Sequence, residues 1–159
     1  MVLKHSFTVG FSFGLVSGII TTLGLIVGLH SSTHSKIFVI GGVLVIAIAD
    51  ALSDAMGIHI SEEAEDKHSA GEIWESTIST FLSKFVFALT FLVPILVFEL
   101  NTAIIVCILW GMFLITIFSI YLARSQKRKV SHIVLEHAVL TIVVIILTHY
   151  VGDWVATLR

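Results

Sequence analysis

The chain is 159 residues long; 57% of them are hydrophobic and 13% charged, with a mean hydropathy of +1.04. A soluble domain averages about 45–50% apolar and about 25% charged residues, so this composition lies outside that class. The apolar load excludes a disordered chain and the single cysteine a disulfide scaffold, while a net charge of -2 points to no nucleic-acid partner.

What remains is an all-α integral membrane protein. A spanning helix needs roughly 20 mostly apolar residues, each rising about 1.5 Å through a hydrocarbon core of about 30 Å. Five segments meet that requirement, at about 8–29, 37–60, 78–98, 101–123 and 133–153, and they make the chain a single membrane domain. The first run is too long for a secretory signal, lacks a small-residue cleavage site, and is followed by four more spans.

In the first span Gly10, Gly14 and Gly18 form G-x-x-x-G-x-x-x-G, and Gly24 and Gly28 repeat the spacing. At about 100° per residue, Gly10, Gly14, Ser17, Thr21, Gly24 and Gly28 fall on one stripe. Small residues let helix backbones approach where lipid removes the hydrophobic incentive to associate. The stripe either packs within the chain or forms a seam between two subunits, with Ser17 and Thr21 as the polar lining of a pathway.

The second span carries Asp50 and Asp54. A carboxylate at bilayer depth costs at least about 2.5–3.5 kcal/mol on insertion scales, so it faces protein or water and marks function by default. The i, i+4 spacing puts both acids on one side, with Gly57 and Ser61 continuing the stripe. Two like charges that close cannot both ionise cheaply in low dielectric unless a cation joins them. A metal ion exchanging with protons would serve; oxygen ligands suit Mg, Ca or Mn, and nearby Met56 and His59 extend the choice to Fe and Zn. The alternative is an internal salt bridge to Lys84, which lies at a matching depth in the third span. Two enzyme classes are set aside: the D-x-x-x-D pair lacks the accompanying elements of membrane phosphatidyltransferases, and intramembrane aspartyl proteases place their acids on different helices.

Residues 61–77 read as an acidic connection containing Glu62, Glu65, His68, Glu72 and Glu75. The last four are spaced i, i+3, i+7, i+10, one stripe if this stretch is helical. Glu-x-x-His is a spacing that di-iron carboxylate helices use, and the plain alternative is a solvated acidic turn. An acidic mouth concentrates divalent cations by its field alone. Further on, Pro94 is expected to kink the third span and free a carbonyl, and Cys107 to serve as a small packing residue. Lys4, Lys67, Arg124, Lys127, Arg128 and Lys129 fall on one side of the membrane against Lys36 and Arg159 on the other, which predicts an N-in, C-out orientation with the acidic connection in the cytoplasm.

The order of elements resembles the vacuolar iron transporter family. The run from Gly14 to Gly28 (GLVSGIITTLGLIVG) resembles that family's first helix, and Ala51 to Gly57 (ALSDAMG) its second. Thr80 to Pro94 (TFLSKFVFALTFLVP) is similar to its third helix, and Leu147 to Gly152 (LTHYVG) to its fifth. The resemblance implies a homodimer whose first helices line a pathway exporting Fe2+ or Mn2+ from the cytosol in exchange for protons, with no bound cofactor. Here the family's first-helix acid falls on Ser17 and its second-helix methionine on Asp54. The acid has then moved to the neighbouring helix, or the site has changed its ion, or transport has been lost. The large cytoplasmic metal-binding domain of some members is replaced by the acidic connection alone. Asp50 and Asp54 are thus the expected ion site, Ser17 and Thr21 its facing wall, and Glu62, Glu65, His68, Glu72 and Glu75 the metal-gathering residues. The competing expectation is a non-transporting scaffold or partner subunit in which Asp54 and Lys84 form a structural pair.

Overall fold

The computed structural model describes residues 5–158, which form six helices and no strand: α1 (His5–Thr33), α2 (Lys36–Glu65), α3 (Ala70–Thr90), α4 (Leu92–Val97), α5 (Leu100–Ser125) and α6 (Val130–Ala156). With α3 and α4 taken as one interrupted span, five segments are long and apolar enough to cross a membrane. Lys4 and Arg159 lie outside the described residues.

Every span overruns its apolar window. The acidic connection expected over 61–77 contracts to 66–69, because α2 continues through Glu65 and α3 begins at Ala70. Backbone i→i−4 hydrogen bonds do not require apolar side chains, so falling hydropathy marks where a helix leaves hydrocarbon and not where it ends. Local chemistry ends it. Asp66 takes a left-handed φ of 52° and its N–H returns to Glu63 O, while Ser69 and Glu72 form a reciprocal capping box that opens α3. His34 and Lys127 provide the left-handed residues of the α1–α2 and α5–α6 turns.

Pro94 interrupts the third span as expected. A proline ring excludes the carbonyl four residues back, here that of Thr90, and α3 stops at that residue. Groups at the break find partners on α5: the Cys107 thiol lies 3.7 Å from Phe91 O, and Trp110 Nε1 donates to Thr90 Oγ1 at 3.1 Å.

The first helix is the axis of the bundle and packs on α2, α3, α5 and α6. Its Leu15, Ile19, Leu23 and Ile26 form one core with residues such as Val43, Phe91 and Ile115. The glycine stripe is used inside the chain. A Cβ at Gly10 or Gly14 would overlap Ser76, Ser79, Thr80 and Ser83 of α3, and one at Gly18 would press on the backbone of Lys84. Gly24 and Gly28 rest on Val144 and Thr148 of α6. On α2, Val39, Val43, Ala47, Ala51 and Ala55 recur every turn as the buried ridge, and the alanines bring this helix close to α3. At one end of the bundle Lys36 Nζ donates to Phe98 O at 2.9 Å, and His30 and Ser31 reach Asn101 and His149. Asp66 and the α5–α6 turn lie at the opposite end.

Candidate functional site: a lysine between two aspartates

Halfway along the bundle, three helices place four polar groups at a common point, two of them from α2. Asp50 stands about 21 Å along α2, a helix about 45 Å long, and Ser17 is similarly central in α1. Lys84 reaches them from α3. Its Nζ lies 2.5 Å from Asp50 Oδ2 and 2.5 Å from Asp54 Oδ2, and donates to Ser17 Oγ at 2.9 Å. Ser17 in turn donates to Asp54 Oδ2 at 2.6 Å. The hydroxyl therefore accepts from the lysine and donates to the acid, the one arrangement that uses both of its functions. Asp50 Oδ2 lies off the direction of a hydrogen bond, so its contact with the ammonium is one of charge.

This geometry answers the sequence-level alternatives in part. Asp50 and Asp54 share one side of α2, and the cation that joins them is Lys84. Ser17 belongs to the cluster; Thr21 does not, since its hydroxyl donates to Ser17 O one turn back. The Lys84 side chain is 2% exposed, whereas those of Asp50 and Asp54 are 31% and 21% exposed. Counted as ionised, two carboxylates and one ammonium leave one negative charge uncompensated. The cluster is thus sealed on its lysine side and open on its acidic side.

A polar track descends from this cluster toward the Asp66 end. On α3, Ser76, Thr77, Ser79, Thr80 and Ser83 are buried against α1 and α2. Thr80 Oγ1 donates to Ser76 O and to Gly10 O on α1. Thr77 Oγ1 pairs with His59 Nδ1 at 3.0 Å, and the His59 ring stands edge-on to Trp74. Glu62 is buried between helices, where its Oε2 accepts from Ser76 Oγ at 2.6 Å. Glu62 is thus part of the track and not of an open mouth. The hydroxyl row was missed from the sequence, although its signal is present as STISTFLSK, with Ser, Thr and Lys recurring at three- and four-residue intervals.

The remaining acids do not converge. A common stripe for Glu65, His68, Glu72 and Glu75 needs one continuous helix, and the chain turns between Glu65 and Ala70 instead. Glu65 faces Lys67 at 3.7 Å and His68 at 4.0 Å, and Glu72 caps α3. Glu75 sits on α3 one turn beyond Glu72. Among the described residues no three His, Cys, Asp or Glu side chains gather as a metal-holding group. Of the expected metal residues, Asp50 and Asp54 meet at Lys84, and Glu65 and His68 stand at the turn after α2.

No family model, curated protein or solved structure matches the chain. The fold and the cluster define its class: a helical protein with five segments fit to span a membrane and charged groups at their middle.

Proposed function

We propose that the chain is a transporter that carries divalent metal ions, Fe2+ or Mn2+, out of the cytosol in exchange for protons. The observation that supports it most is the half-open acidic side of the cluster. Two carboxylates at mid-membrane share a single ammonium and retain exposed surface, an arrangement too costly to keep against lipid without a use. Lys84 acts as a tethered cation. With no ion bound it holds the two carboxylates together; an arriving divalent cation competes for the same oxygens and displaces the ammonium. Proton uptake by the carboxylates then releases the metal, which couples the two fluxes. The Glu62–His59–Ser76 track leads from the Asp66 end to this point, and the excess of bases at that end supports a cytoplasmic position for it.

The open acids also need a cover. We propose a second copy of the chain, placed over the edge where Asp50, Asp54 and Ser17 emerge, so that the pathway runs between two subunits. The glycines are engaged within each chain, so this interface rests on the polar edge of α1 and α2.

A second reading is favoured by one observation. The buried ammonium donates to Asp54 and Ser17 and lies against Asp50 by charge, as a purely structural pin would require. In that case the chain is a scaffold or partner subunit. Flux of Mn2+ and Fe2+ into proteoliposomes, with and without Asp50→Asn/Asp54→Asn, distinguishes the two: a transporter loses flux in the variant, whereas a scaffold shows none in either form.

A further inference from the structure

Seven lysines and arginines fall among the described residues, and three of them are engaged: Lys36 with Leu96 O and Phe98 O, Lys67 with Glu65, and Lys84 with the aspartates. The other four are Arg124, Lys127, Arg128 and Lys129, all exposed and all within six residues of one another. No acidic side chain among the described residues pairs with any of them. The nearest acid along the chain, Glu136, lies within α6, where it faces His132 at 3.6 Å.

The backbone that carries these four side chains is fixed by hydrogen bonds. The α5–α6 turn is closed by Gln126 N–H to Leu122 O, Lys127 N–H to Arg124 O, and Arg128 N–H to Ala123 O at 2.9 Å. The left-handed Lys127 completes a reversal that keeps the bases at the junction of two spans. Arg128, Lys129, His132 and Ile133 border a hollow of about 240 Å³. A helix of 26 residues such as α5 is about 39 Å long against a hydrocarbon core of about 30 Å, so its end stands at headgroup level.

We propose that this turn binds the phosphates of anionic phospholipid headgroups in the leaflet it faces. Its charge is complementary to that leaflet, its depth matches that of lipid phosphate, and its arginines offer the forked donors that phosphate oxygens accept in pairs. A soluble polyanion would need a wider basic surface, whereas Arg128 and Lys129 border one small hollow beside Ile133. The site is independent of the aspartate cluster and of any transport.

Lipid retention tests the assignment. The full chain is reconstituted with equal amounts of phosphatidylglycerol and phosphatidylcholine, extracted gently, and its co-purifying lipids are counted by native mass spectrometry. Phosphatidylglycerol should be enriched at least about tenfold, on the order expected when two or more bases engage one headgroup. Arg128→Gln/Lys129→Gln keeps Arg124 and Lys127 to preserve orientation and should lose most of the enrichment, while Arg128→Lys/Lys129→Arg and Lys67→Gln should retain it. Equal retention of both lipids, or enrichment that survives Arg128→Gln/Lys129→Gln, would overturn the proposal. Displacement of the bound lipid by inorganic phosphate would also overturn it, by identifying a site for soluble anions.

Discussion

An ammonium with almost no exposed surface needs compensation from its neighbours, and Lys84 finds it by donating to Asp54 and Ser17 and lying against the charge of Asp50. Removing one member of a buried charge cluster is far worse than removing all of it, because the survivors are left without compensation. Lys84→Met should therefore lower stability by about 3–5 kcal/mol. Asp50→Asn/Asp54→Asn/Lys84→Met should recover most of that loss; denaturant unfolding in detergent micelles measures both. Ser17→Ala leaves an ammonium proton and a carboxylate oxygen without their shared partner and should cost about 1.5–3 kcal/mol. Thr21→Ala, which breaks only a bond to its own helix, should cost much less. At this scale the sequence was informative wherever a charge interrupted an apolar run. Asp50, Asp54 and Lys84 could be found that way, and their depths left pairing open as one of two arrangements. Glu62 was singled out as a metal-gathering residue of the acidic connection, and only packing against Ser76 shows that it is buried.

Among the elements, the closest packing is that of α1 on α3. Three glycines face a row of hydroxyls and the backbone of Lys84, so α3 approaches near enough to deliver that lysine to Ser17. Gly14→Ala drives a methyl group into Thr80 and Ser83 and should destabilise the protein by about 1–3 kcal/mol, the usual range for overpacking. Gly41→Ala on α2 meets nothing within 4 Å and should instead stabilise the helix by up to about 1 kcal/mol. Thermal unfolding of the two variants should shift in opposite directions. The spacing of the glycines was legible in the sequence, but not which helix they meet, since lipid, a second subunit and a neighbouring span all accept a small-residue face. Helix ends were less legible still. Pro94 announced the break in the third span, whereas the continuation of α2 and α3 through polar residues depended on the turn at Asp66 and the Ser69–Glu72 cap.

For the whole molecule, the five-span count followed from composition and length, and the structure retains it. The bundle leaves its charged centre partly open, which is the physical ground on which a second copy is proposed. Cys107 is the only cysteine and is buried, so Cys107→Ala provides a background for placing others. With α1 at the interface, Thr21→Cys in that background should form a disulfide dimer in membranes under mild oxidation. Ile105→Cys, exposed on α5, should not. Dimers at Ile105 alone would place the interface elsewhere. The most direct test of the central claim, that Asp50 and Asp54 carry a divalent cation against protons, is flux into proteoliposomes loaded with a pH dye. The wild-type chain should take up Mn2+ or Fe2+ with opposing proton movement, and Asp50→Asn/Asp54→Asn, shown to be folded by its unfolding profile, should abolish both. Metal uptake that persists unchanged in that variant, or a folded wild-type protein that moves no metal, would contradict it.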